Sequence, residues 1–303
     1  MRSSDLPKLA LLLGLSVAAT LFFGAILCGW SLRCLSVSDA LLVSGIFAAS
    51  VVLFCFLFGL VTRDCSWVDR LWSILPVIYA WYFAIRSWPD ARTIILAILI
   101  SLWGGRLTYN FARKDGYSGA EDYRWNVLRK KIPGRFFWEL FNLFFISLYQ
   151  NAVIFLFVTP VYLASLHPDR TLGLPDLFFT VLFLGLLAFE TIADQQQWEF
   201  HLKKNAARSS GSSFDPFLKT GLFRFSRHPN YFAEVGQWWV VYLFGIWASG
   251  QPLNLTLAGP VLLTLLFAGS TRFTESITGG KYPEYRDYQK TTSAVIPWFP
   301  KKA

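Results

Sequence analysis

The sequence predicts an all-α protein, a polytopic membrane bundle of seven or eight transmembrane helices. Three observations predict it. The 303-residue chain is 54% hydrophobic and only 16% charged, with a mean hydropathy of +0.42, where a soluble domain carries about 25% charged residues. The apolar residues gather in runs of the roughly 20 residues that a helix needs to cross hydrocarbon. Lysine and arginine crowd into alternate loops between those runs, as the positive-inside rule requires.

Taken in order, the runs are 9–30, 40–61, 67–86, 93–112, 136–164, 176–200, 230–249 and 253–272. The first, about 22 residues and nearly uncharged, exceeds the apolar stretch of a cleaved signal, about 7–15 residues, and reads as a membrane helix. The third and sixth carry polar residues. The fifth is long for one span and is expected to tilt or kink near Pro160. The loop after the fourth run holds Arg113, Lys114, Arg124, Arg129, Lys130, Lys131 and Arg135. The loop after the sixth holds Lys203, Lys204, Arg208, Lys219, Arg224 and Arg227, and the C-terminal tail holds Arg272, Lys281, Arg286, Lys290, Lys301 and Lys302. Intervening loops hold Arg170 or no basic residue at all. Both basic loops and the C-terminus are therefore expected in the cytosol. With eight spans the N-terminus, carrying Arg2 and Lys8, joins them.

This placement also accounts for the net charge of +9 without a nucleic-acid partner. Cys28, Cys34, Cys55 and Cys65 form no CxxC pair and read as small apolar residues. His167, His201 and His228 are too scattered for a metal site. No GxGxxG follows a strand and no GxxxxGK[ST] occurs, so neither a Rossmann nor a P-loop domain is expected. "WGGR" at 103–106 reads as a close-packing pair.

Charges inside a bilayer cost about 2.5–3.5 kcal/mol each on insertion scales, so the polar residues within the runs should cluster. Helical spacing shows how. Glu190, Asp194, Gln197 and His201 share one face of the sixth run. Asn230, Glu234 and Gln237 share one face of the seventh. Arg106, Asn110 and Arg113 repeat the pattern in the fourth, and Thr271 and Glu275 at the end of the eighth. Asp69 and Arg70 lie near the start of the third. All three longer stripes descend toward basic loops, which predicts a polar cavity open to the cytosol beneath apolar helices.

The stretch "FRFSRHPNYFAEVGQWW" at 223–239 lies at its mouth. Arg224, Arg227 and His228 suit a phosphate. Pro229 at a helix start has no amide hydrogen to lose, and the amides that follow add partial positive charge. Glu234, one turn inside, would accept from an amide or hydroxyl. A nucleotide cofactor fits such a clamp.

This stretch resembles the C-terminal signature of the steroid 5α-reductase superfamily, in its branch of predicted reductases of unknown substrate. "GAEDYRW" at 119–125, "ETIADQQQWEFHLKKN" at 190–205 and "YPEYRDYQKTTSAVIPWFP" at 282–300 are similar to further pieces of that branch, in the same order. The likeness runs from about residue 65 to 300, which divides the chain into N-terminal helices over 1–64 and a reductase-like domain over 65–303. The resemblance implies a bundle of about seven spans that binds NADPH from the cytosol. Hydride would pass to an activated carbon–carbon double bond of a steroid or other lipid drawn from the bilayer. It implies that Asn230 and Glu234 hold the nicotinamide end with Asp194, and that Arg224, Arg227, Arg124 and Tyr288 serve the phosphates and ribose, with His228 beside them. For a eukaryotic source it implies the endoplasmic reticulum.

The chain departs from the pattern where Glu190 replaces an Asn and His201 an Arg. The family's acid and Tyr that polarise the substrate carbonyl have only weak counterparts, Asp69 and Tyr109, which are the expected catalytic pair. Two other classes stay open. A membrane methyltransferase of the isoprenylcysteine or phospholipid type shares a basic Arg-His-Pro-x-Tyr element and an acidic helix end, here Glu275, and would use S-adenosylmethionine. A non-catalytic lipid-binding membrane protein is the other.

Overall fold

The computed structural model describes residues 40–119 and 121–301. Among them every regular element is helical and there is no strand. The run at 9–30, the N-terminal charges, Cys28 and Cys34 lie outside the described residues.

In chain order the helices are α1 Ala40–Thr62, α2 Trp67–Leu71, α3 Leu75–Arg86, α4 Ala91–Ala112 and α5 Tyr123–Lys131, then α6 Arg135–Ser165, α7 Leu174–Ser209, α8 Pro229–Ser249, α9 Ala258–Lys281 and α10 Tyr285–Thr291. Among the described residues five helices are long and apolar enough to cross a membrane: α1, α4, α6, α7, and α9 with the short 3₁₀ turn before it. Of the eight expected runs, 9–30 lies outside the described residues, and two others, 67–86 and 230–249, are not among these five, each for a physical reason. The run at 67–86 is broken into α2 of five residues and α3 of 12. Pro76 sits in the first turn of α3, where its missing N–H is harmless, and Pro disfavours helix in the residue before it. At 1.5 Å per residue, 12 residues reach only about 18 Å, short of the roughly 30 Å hydrocarbon core. Helix α8 has 21 residues, but with Asn230, Glu234 and Gln237 in it no stretch of membrane-crossing length is apolar enough to join the five.

Helix α6 departs from regularity where the sequence made it long. Its middle, Asn142–Tyr149, is π-helical, and Pro160 lies inside its last part. Asn142 is buried there and donates from Nδ2 to Glu139 Oε2 at 3.3 Å.

The chain forms two compact units. One holds the described residues up to Gly173 together with Phe244–Gly259; the other holds Leu174–Leu243 and the residues from Pro260 onward. In the first unit α3 packs on α4 and α6 around the fully buried Tyr79, Phe83, Ile100, Trp103 and Phe157. Gly104 makes this approach possible: a Cβ there would stand 2.6 Å from Ser73 O and 2.6 Å from Val77 Cγ2, whereas a Cβ on Gly105 would meet open space. Only the first glycine of the pair read as close-packing is therefore packed.

In the second unit α7 and α8 meet through Gly236, whose Cβ would lie 3.1 Å from Leu186 Cδ1, and through Phe189 against Phe232.

Candidate functional site

The second unit collects most of the residues singled out above. Helix α7 presents Glu190 and Asp194 one turn apart, and α8 presents Asn230 and Gln237 two turns apart. They pair as two rungs. Asn230 Nδ2 donates to Asp194 Oδ1 at 3.3 Å, and Gln237 Nε2 donates to Glu190 Oε2 at 2.7 Å. Glu190, Asp194 and Gln237 are buried, at 3%, 4% and 0% exposure. Glu234 lies between the rungs on α8 and is buried as well. The helical spacing foretold the faces; their pairing across two helices is what the structure adds. Lower on the same stripe of α7, Gln197 is half-buried and His201 exposed.

Below the rungs the signature turn has a hub, and its centre is Glu275 of α9. Arg227 grips this carboxylate with two parallel bonds, Nε to Oε1 at 2.6 Å and Nη2 to Oε2 at 3.0 Å. His228 Nε2 lies 3.1 Å from Oε1, and Gln289 Nε2 donates to Oε2 at 2.8 Å. Arg227 Nη1 donates to Gln289 O at 3.1 Å and also to Thr292 O. Arg227 was expected to face a phosphate. Its guanidinium instead ties the turn to α9 and α10, with only 9% of the side chain exposed. Arg224, by contrast, is exposed on the 3₁₀ turn Gly221–Arg224. Tyr288 donates its hydroxyl to Phe223 O, so it also buttresses the turn. Burial, then the neighbouring Tyr285, holds the Tyr288 hydroxyl above its ordinary pKa. Burial, then the Glu275 carboxylate, does the same for Tyr285.

The sequence showed Thr271 and Glu275 as an acidic helix end but gave no sign that Glu275 gathers Arg227, His228 and Gln289.

A separate cleft of about 320 Å³ opens against the far end of α7, lined by Gln196, Phe200, Lys203, Phe214, Lys219 and neighbours. Gln196 follows Asp194 by two residues, a turn of about 200° at 3.6 residues per turn. The cleft thus faces away from the acid rungs. Its floor is fixed by Gly221, at φ +62°, whose Cβ would lie 2.4 Å from Gln196 Oε1; that oxygen accepts from Leu222 N at 2.9 Å.

The remaining candidates are in the first unit. Asp69 accepts from Trp125 Nε1 at 3.0 Å, and Arg124 Nη2 stands 3.7 Å from its other oxygen. Arg124 is also bound to Asp122, Nε to Oδ1 at 2.9 Å, and Asp122 caps α5 by accepting from Arg124 N. Glu121 receives Arg129 and the amide of Cys65. The "EDYRW" residues thus lock a basic loop onto 64–70. Asp69 lies outside the five long helices; burial pushes its carboxyl above the usual range, against the pull of Arg124. Tyr109 is not brought to this group in any bond: it is 67% exposed, and the Arg113 guanidinium rests 5.6 Å from its ring.

Residues 55–292 match the family described as "Protein of unknown function (DUF1295)". The chain is 39% identical over 256 residues to an uncharacterized protein of Schizosaccharomyces pombe, covering 78% of this chain and 73% of the relative. No solved structure matches the chain.

Proposed function

The chain belongs to the DUF1295 family, a steroid 5α-reductase-like family, and from that premise we propose that it is an integral-membrane reductase of the steroid 5α-reductase superfamily. It uses NADPH to reduce a carbon–carbon double bond of a steroid or other lipid taken from the bilayer. The basic loops and the C-terminus face the cytosol, and in a eukaryotic cell the membrane is that of the endoplasmic reticulum.

The observation that carries this is the pair of buried acid–amide rungs directly above an arginine-bearing turn. A nicotinamide carboxamide needs both a donor and an acceptor. Asn230 and Asp194 supply one of each at 3.3 Å, and the Glu234 carboxylate adds an acceptor one turn inside. For the phosphates the fit is narrower than the sequence suggested. Arg224 is exposed and suited to them, while Arg227 and His228 are committed to Glu275 and shape the turn. The residues present therefore fit the cofactor at its nicotinamide end, with Arg224 at the phosphate end.

When bound, the cofactor supplies the hydride; the protein supplies position and electrostatics. The rungs fix one end of a planar amide, and their burial excludes water. Hydride addition to an enone leaves negative charge on the carbonyl oxygen, which a hydrogen-bond donor in a dry setting stabilises by several kcal/mol. Asp69, the expected donor, accepts from Trp125 Nε1 at 3.0 Å and faces Arg124 within the first unit, and the role is not assigned to it. Tyr109, exposed and carrying Arg113, is left out of the role.

Titration of purified protein with NADPH, NADH and S-adenosylmethionine, read by thermal stability, tests the proposal, since a ligand of the native state alone must stabilise it. NADPH should raise the midpoint, and Glu234→Ala should abolish the rise. Stabilisation by S-adenosylmethionine alone would replace the reductase with a methyltransferase.

A further inference from the structure

The last residues of the chain run as a strap over the signature turn. Arg227 N donates to Ser293 O at 2.8 Å, His228 N to Ala294 O at 3.1 Å and Trp298 N to Phe225 O at 2.9 Å. Ser226 Oγ donates to Val295 O at 2.7 Å. These bonds consume backbone polar groups of both segments and leave the strap's side chains pointing away. Three of them are large and apolar: Ile296 is 66% exposed, Trp298 70% and Phe299 77%. Phe299 touches the turn only edge-on, its ring 6.2 Å from that of Phe225. Exposed Lys301 follows them, and exposed Arg224 lies on the turn beneath.

Water is a poor neighbour for such a cluster, and the fold indicates what the neighbour is. The strap bonds to His228, the residue before α8 begins. It follows α10, which begins four residues after α9 ends at Lys281. The helix bearing Lys281 is apolar enough to cross a membrane. The strap therefore sits at the end of a spanning helix, where hydrocarbon gives way to headgroups. Tryptophan and other amphipathic rings concentrate at that level, and flanking cations add attraction to anionic lipid. We infer that Ile296–Phe299 is an interfacial anchor that beds into the headgroup layer of the bilayer, with Lys301 against lipid phosphates. Through its backbone bonds the anchor fixes the height of Arg227 and His228 relative to the membrane. This holds whether or not the chain is a reductase.

The test uses the full chain in vesicles of phosphatidylcholine with phosphatidylserine. A nitroxide is placed by Trp298→Cys in a background where the four native cysteines are alanine. Its collisions with oxygen, which dissolves in lipid, are compared with those of a water-soluble nickel chelate. An identical label at Asp287→Cys, on the exposed polar face of α10 with 77% of its side chain exposed, provides the water reference. The oxygen-to-nickel ratio at 298 should exceed the reference several-fold. An equal ratio would put the strap in water, and suppression of both collisions would put it under protein; either overturns the anchor. If the cysteine-free background does not fold, the wild-type chain answers instead. Headgroup-proximal brominated lipid should quench it more than Trp298→Phe, and equal quenching overturns the anchor.

Discussion

Replacing Glu275 by alanine leaves the Arg227 guanidinium inside the protein without its anion. Both side chains are only 9% exposed, and the carboxylate receives bonds from Arg227 twice, at 2.6 and 3.0 Å, and from Gln289 at 2.8 Å. Breaking a buried ion pair by removing one partner costs about 3–5 kcal/mol, whereas a solvent-exposed pair is worth about 0–1 kcal/mol. Burial places this pair in the first class. Glu275→Ala should therefore lower unfolding free energy by about 3–5 kcal/mol. Reversible unfolding in mixed micelles, followed by tryptophan fluorescence, measures it. Joint replacement by Arg227→Met and Glu275→Leu removes both charges and should recover most of the loss, since apolar substitutes of similar volume are often neutral or better. A loss within about 1 kcal/mol for Glu275→Ala would refute the reasoning, because the hub would then be a surface pair. So would a double variant as unstable as the single one.

Other outcomes are equally open to measurement. Gly104→Ala forces a Cβ to 2.6 Å from a backbone oxygen and should cost about 1–3 kcal/mol, while Gly105→Ala, facing open space, should be neutral or stabilising by up to about 1 kcal/mol; thermal midpoints of the two decide. Burial, then the Glu121 carboxylate, pushes the Cys65 thiol up to about 12, so at pH 8 alkylation of Cys65, located by peptide mass, should be far slower in folded than in unfolded chain. Tyr285 and Tyr288 keep their protons more tightly when folded, against about 10 in the unfolded chain. Their contribution is intact below pH 10 and lost as pH rises from there through the folded values; thermal midpoints should fall in that window, and less steeply in a Tyr285→Phe/Tyr288→Phe variant.

Long uninterrupted apolar runs were legible: five of them appear as helices long enough to cross a membrane, because length and composition alone decide that. The run at 67–86 is divided into α2 and α3, a restart that hydropathy does not register, although Pro76 stands within it. Helix spacing identified the faces bearing Glu190, Asp194, Asn230 and Gln237, since periodicity within one helix is local. Which acid meets which amide is a matter of register between helices, and no local pattern encodes it. Arg227 shows the limit best. An arginine beside a His-Pro step suits a phosphate or a carboxylate equally, and Glu275, 48 residues away, settles the matter only once the chain is folded.

Helix α7 is longer than any bilayer requires. Its 36 residues extend about 54 Å at 1.5 Å each, against a hydrocarbon thickness of about 30 Å. Counted from Leu174, Asp194 falls about 30 Å along and Glu190 about 24 Å. About 24 Å of the helix must therefore stand outside the hydrocarbon, so Lys203, Lys204 and Arg208 near its end ride on a rigid helical rod and not on a loose loop.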